Sequence, residues 1–168
     1  MKKNQFIIGL FCLLLGALSI TSCKKDEVNE FIADNSTFAN FDTWTLESTL
    51  SGPDPSLGAA HAGNDNTVSR SIYFKDGQDP VDGVYPTGTV IVKHAGNPDA
   101  SVAIYTAMVK RGNDFNPTNN DWEWFMLNAD GTIAEDAEGN LLRGAALNNG
   151  GCGNCHGAAS TSDYVFSK

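Results

Sequence analysis

Positive charge is sparse in this chain: 11 Lys+Arg stand against 20 Asp+Glu over 168 residues, a formal net charge of -9. No basic stripe is available to neutralise phosphates, which excludes nucleic acid as a partner. Charge of either sign is limited to 18% of residues against 41% hydrophobic, which excludes a disordered chain. The longest apolar run, residues 6–20, covers about 15 residues where a membrane span needs about 20. Sustained helical periodicity is missing too. No long window keeps a 3.6-residue repeat free of the 17 Gly and 6 Pro, so a four-helix bundle fits poorly. There is no internal repeat, and the length suits one domain. Cysteine is confined to four positions, and each of them is informative.

The first two belong to an address. Lys2 and Lys3 precede the apolar run, and Ile20-Thr21-Ser22-Cys23 closes it. A basic start, a short apolar core and small residues before a break make a secretory signal. The cysteine after Ile-Thr-Ser resembles a bacterial lipobox, which implies lipidation of Cys23 and cleavage before it. Residues 1–22, with Cys12, then leave as a leader. Residues 23–31 form a polar, flexible tether, and 32–168 form the domain. The expected location is the bacterial cell envelope, as an outer-membrane lipoprotein facing the periplasm or the cell surface, with the lipid as the sole membrane contact.

The remaining cysteines stand in Cys152-Gly153-Asn154-Cys155-His156. Cys-x-x-Cys-His reads as a c-type haem attachment site: two thiols reach the two vinyl groups, and the next histidine becomes the proximal ligand. A disulfide or thioredoxin-like pair would use the same cysteines, but no βαβ unit frames them. Zinc would need a fourth ligand, and neither His61 nor His94 has ligand spacing. Export favours haem, because bacterial haem attachment takes place outside the cytoplasm. Only 12 residues lie beyond His156, so the pocket must be built from the chain before the motif.

That part of the chain reads mainly as β. A short helix is expected within residues 32–44, capped by Asn35 or Ser36. Segments 43–50, 67–74, 89–94, 101–110 and 122–127 are rich in β-branched and aromatic residues. Gly-, Pro-, Asn- and Asp-rich turns separate them, and Asp130-Gly131 marks a hairpin. The expected fold class is mainly β (α+β): an antiparallel sheet with a few short helices and a covalently attached haem near the C-terminus.

Several blocks fall in one order: Trp44, then Ser69-Arg70-Ser71-Ile72-Tyr73, then Tyr85-Pro86-Thr87-Gly88-Thr89-Val90-Ile91-Val92-Lys93. Met108-Val109-Lys110-Arg111 and Asp121-Trp122-Glu123-Trp124-Phe125 come next, then the haem motif and Asp163-Tyr164-Val165-Phe166. The ordered set resembles the cytochrome P-460 family, which includes the cytochromes c′-beta, over about residues 32–166. The resemblance implies a mostly antiparallel β fold, often a homodimer, with one five-coordinate haem c. Members of the first type carry a lysine–haem bond and oxidise hydroxylamine. Members of the second bind nitric oxide in an apolar distal pocket.

Carried over residue by residue, Cys152, Cys155 and His156 hold the haem and its iron. Lys93, at the end of the Gly-Thr-Val-Ile-Val-Lys block, takes the place of the cross-linking lysine. It shares a strand face with Thr89 and Ile91, opposite Val90, Val92 and His94, and neither face is plainly solvent-facing. Lys110 is a weaker candidate, since Arg111-Gly112 beside it reads as a strand exit. Arg70 lies among Val68, Ile72 and Phe74, where a guanidinium needs an anionic partner such as a haem propionate or a distal ligand. Glu123 shares its face with Phe125 and Leu127 and is the candidate proton acceptor for bound hydroxylamine. Trp122, Trp124, Phe125, Tyr73 and Phe74 read as core or pocket wall, Met108 as packing rather than a sixth ligand, and His61 and His94 as candidate distal ligands whose simpler reading is surface histidines.

Three functions compete. The first is an oxidoreductase acting on hydroxylamine or a related nitrogen oxide, with Lys93, Arg70 and Glu123 in catalytic roles and a small redox partner. The second is a nitric oxide binding module without turnover. The third is a lipid-tethered electron carrier, which would need two strong axial ligands.

Overall fold

The structure is a computed structural model that describes residues 29–166. The leader, Cys23 and the tether up to residue 28 lie outside the described residues. Within them the chain is mainly an antiparallel β-sheet with short helices. Six strands form one sheet in sequence order: β1 (Thr45–Ser51), β2 (Ser69–Phe74), β3 (Val90–Gly96), β4 (Ala103–Lys110), β5 (Trp122–Leu127) and β6 (Arg143–Gly144). Every neighbouring pair is antiparallel. The β3–β4 connection is short, while the other connections are longer loops rich in Gly, Pro, Asn and Asp. The β-rich segments of the sequence coincide with β1–β5. The Asp130-Gly131 turn closes an Asn128–Thr132 backbone bond of 2.8 Å that leads into a Leu127–Ile133 bridge.

The sheet is covered on both faces. One carries Phe38, Phe41, Val90, Val92, Val109 and Phe125; the other carries Ile72, Ile91, Met108, Trp122, Trp124 and Val165. The period-2 alternation of β3 sends Val90 and Val92 to the first face and Ile91 and Lys93 to the second. Along β5, Glu123 and Phe125 go one way and Trp122 and Trp124 the other.

Two local expectations change. Instead of one helix within 32–44 there are two 3-10 turns, Asn35–Phe38 and Phe41–Thr43, separated by Asn40 in the left-handed region at φ 54. The first is capped by Asp34, whose carboxylate accepts from the Thr37 amide at 3.1 Å. A run of Asp, Asn, Ser and Thr bonds its own backbone too readily to sustain an α-helix. Residues 29–31, expected in the tether, are held against the domain. The Phe31 amide donates to the Arg111 carbonyl at 2.8 Å, Glu30 pairs with Arg111 at 2.8 Å, and the Phe31 ring packs on the first core.

Candidate haem site

The second face of the sheet opens into a cavity of about 710 Å³, mouth included. Its walls come from every layer of that face: Ile72 on β2, Ile91 and Lys93 on β3, Met108 on β4, Trp124 on β5. The remaining wall is the haem-type motif. It folds as helix α1, Gly151–His156, entered through Gly150 at φ 78. On a helix, positions three and four apart share a face, so Cys152, Cys155 and His156 all line the cavity. Gly153 is required between the cysteines. It is buried, its carbonyl accepts from Asn119 Nδ2 at 3.1 Å, and a Cβ there would collide with that asparagine.

His156 is held in one tautomer. Its Nδ1 lies 2.7 Å from the Tyr164 carbonyl, and a carbonyl can only accept, so Nδ1 carries the proton and Nε2 the lone pair. Burial lowers the His156 pKa, which keeps the ring neutral at physiological pH. Burial raises the Cys152 pKa, so its thiol is protonated there. Both cysteines are free.

Lys93 reaches the same cavity. Burial, aided by the charge of Arg70, pushes its ammonium down to about 8, with Asp54 and Cys155 opposing. In the chain before any group is attached, the Lys93 side-chain carbon resonances are expected to titrate near pH 8, and Arg70→Met should raise that midpoint. A midpoint near the ordinary 10.5 would mean the amine is not buried. The unfolded chain keeps this proton up to the higher pKa while the folded chain releases it at the lower. The Lys93 contribution to stability therefore rises with pH between about 8 and 10.5.

Arg70 and Glu123 are placed elsewhere. Arg70 is 1% exposed, but its partners are backbone: Nη2 donates to the Gly52 carbonyl and Nη1 to the Ala62 carbonyl at 3.4 Å. Glu123 is also 1% exposed and sits on the opposite face of the sheet. Arg143 Nε and Nη2 grip it at 2.7 and 2.9 Å, and Arg111 Nη1 lies 3.4 Å away. Period-2 alternation groups Glu123 correctly with Phe125, but that face belongs to the other core. Glu123→Gln is expected to cost about 2 kcal/mol of stability through the lost charge-assisted bonds, with ligand affinity in the cavity unchanged. Chemical denaturation beside a ligand titration checks both.

The histidines divide. His94 stacks on Tyr105 at 4.4 Å between centroids, away from the cavity. His61 is not a surface residue: segment 52–68 folds across the end of the sheet and brings it into the cavity wall, and burial lowers its pKa to about 3. Met108 is core and cavity wall. Lys110 is taken up by a buried ion pair with Asp163 at 2.8 Å. Asp163 stood in the sequence only as the head of the Asp163-Tyr164-Val165-Phe166 block, with no role assigned to it.

No protein-family model matches the chain, and no curated protein matches it.

The donor set suits a c-type haem. Two thiols, a neutral imidazole with its Nε2 lone pair available and apolar walls meet in one space. Trp124 lines it with a buried Nε1 that has no acceptor, 4.7 Å ring to ring from His156. An orphaned buried donor in the wall of a cavity calls for an acceptor within it.

Proposed function

We propose that this chain is a mono-haem c-type protein of the cytochrome P-460 kind, anchored in the bacterial cell envelope by a lipid on Cys23. Small nitrogen-oxide ligands, hydroxylamine among them, would enter its cavity. The observation that carries the reading is the meeting of Cys152, Cys155, His156 and Lys93 in one largely apolar cavity. Cys152 and Cys155 would hold the haem through thioether bonds and His156 Nε2 would ligate its iron, which supplies ligand binding and one-electron chemistry. The Tyr164 carbonyl fixes the imidazole ring and makes it a better donor. The apolar walls exclude water. The Lys93 amine, with its lowered pKa, is available as a nucleophile at neutral to mildly alkaline pH; a lysine–haem bond would replace a macrocycle C–H bond and would need an external two-electron oxidant such as a peroxide.

A second reading, nitric oxide binding without turnover, draws on Glu123. With that carboxylate on the far face and none lining the cavity among the described residues, no acid is at hand to take protons from hydroxylamine. Intact mass with oxidised and reduced absorption spectra separates the two. A red-shifted, broadened Soret band that survives denaturation and vanishes in Lys93→Ala is the expected result for the oxidase. An ordinary high-spin c-type spectrum would assign ligand binding alone. A low-spin six-coordinate spectrum would assign electron transfer, and a mass without haem would overturn all three.

A further inference from the structure

Segment 52–68 joins β1 to β2 without a strand of its own, yet it closes one end of the cavity with Leu57 and His61. Its backbone is held in an unfavourable shape. His61 and Ala62 are consecutive non-glycine residues in the left-handed region, at φ 49 and φ 52. Each costs about 1–2 kcal/mol against the ordinary helical conformation. Such strain persists where surrounding structure imposes it, and it gathers at ligand sites.

Arg70 imposes it here. Its guanidinium reaches from β2 to the Gly52 carbonyl at the start of the segment and to the Ala62 carbonyl beside His61. The Asp54 amide donates to the Gly63 carbonyl at 2.7 Å across the same neck. Gly63 lets the two arms of the loop touch, since a Cβ there would collide with Leu57 and the Gly58 and Asp54 carbonyls. A buried cation whose Nη1 and Nη2 both go to loop carbonyls, while its Nε has no partner, is a clamp, and what the clamp presents to the cavity is His61.

The imidazole it presents is neutral, because burial first, and then the nearby charges of Lys93 and Arg70, oppose a proton. Its Nδ1 lies 3.5 Å from Thr106 Oγ1, a hydroxyl able to donate to Nδ1 and so leave the ring proton on Nε2. No carboxylate lines the cavity among the described residues, so the space suits a neutral or anionic ligand with an acceptor atom rather than a cation.

We propose that His61 is the distal hydrogen-bond donor to a small acceptor ligand in the cavity, and that Arg70 is the positioning residue that holds it there. The proposal rests on the haem reading. Cyanide on the ferric holoprotein is the probe. His61→Ala is expected to release cyanide about tenfold faster, and His61→Gln, which keeps a donor, to stay within about threefold of the parent. Arg70→Met should speed release severalfold in the parent and add nothing in the His61→Ala background, since the clamp acts through that ring. A polypeptide mass without haem would overturn the haem reading and this proposal together. Full haem content with an unchanged release rate in His61→Ala would overturn this proposal alone. A low-spin parent spectrum that turns high-spin in His61→Ala would also overturn it, because Nε2 would then be an iron ligand and not a donor. If Arg70→Met fails to fold, the two His61 variants still decide the donor role, and additive effects of Arg70→Met and His61→Ala would overturn the clamp.

Discussion

Asp163→Ala is expected to destabilise the domain by about 3–5 kcal/mol, a large share of the roughly 5–15 kcal/mol that holds a domain of this kind together. Asp163 is 3% exposed, and it ties the C-terminal segment to the sheet. Its carboxylate accepts from Lys110 Nζ at 2.8 and 2.9 Å, from Asn120 Nδ2 at 2.6 Å and from the Tyr85 amide at 2.8 Å. Its own carbonyl accepts from Trp122 Nε1 at 2.8 Å. Removing the carboxylate leaves the Lys110 ammonium buried without a counter-charge, and that desolvation is the larger part of the loss. Asp163→Asn together with Lys110→Met should therefore recover most of the stability, because the amide keeps the Tyr85 bond and no lone charge remains. Denaturant midpoints at constant slope decide the point.

The loss should also reach the site. Asp163 and Tyr164 both occupy the left-handed region, at φ 51 and φ 66, and this reversal brings the Tyr164 carbonyl back to His156. When Asp163 lets go, the carbonyl is free to leave His156 Nδ1, and the imidazole loses its fixed tautomer and ring angle. A weaker proximal bond in Asp163→Ala holoprotein, read as a shifted iron–histidine vibration, is the expected signature. An unshifted vibration in a destabilised variant would confine Asp163 to a structural role.

The second large effect concerns attachment. In Cys152→Ser with Cys155→Ser, pigment held by the two thioethers alone is expected to extract completely from denatured protein, whereas the parent retains all of it; a Lys93 bond would keep pigment in the double variant and release it only when Lys93→Ala is added. Each single variant should keep one bond and hold its pigment. The two thiols stand on one face of α1, three residues apart, with the cavity in front of them. Both are half-buried rather than core, and serine is close to cysteine in size, so the fold itself should survive with a change below about 1 kcal/mol. Retention of pigment by the denatured double variant would mean that another residue, Lys93 first, carries the bond.

Much of the fold was legible because its signals are local. The β-branched and aromatic runs of 89–94 and 122–127 need no knowledge of distant residues to read as strands. The Asp130-Gly131 turn needs none either, nor does the Cys-x-x-Cys-His spacing. Alternation along β3 was enough to put Lys93 with Ile91 and against Val92.

Local pattern could not tell which of two buried faces holds the site. Alternation says that Glu123 travels with Phe125, but both faces of this sheet are covered by apolar side chains, so the pattern carries no sign of core against cavity. Only the arrival of β6 and Arg143 on the far face, 20 residues on in the chain, made Glu123 part of a structural ion pair. His61 could be named as a candidate distal ligand, but its burial was illegible for a related reason. Its segment has no periodicity, and its burial depends on Arg70 clamping carbonyls 18 and 8 residues away. Asp163 likewise finds Lys110 and Tyr85 across 53 and 78 residues. Neighbouring residues along the chain were thus sufficient for the strands, the attachment motif and the face on which Lys93 lies. Which charges serve the cavity and which serve the fold was settled by the folded chain, because a buried charge is defined by the partner it meets and those partners are distant in sequence.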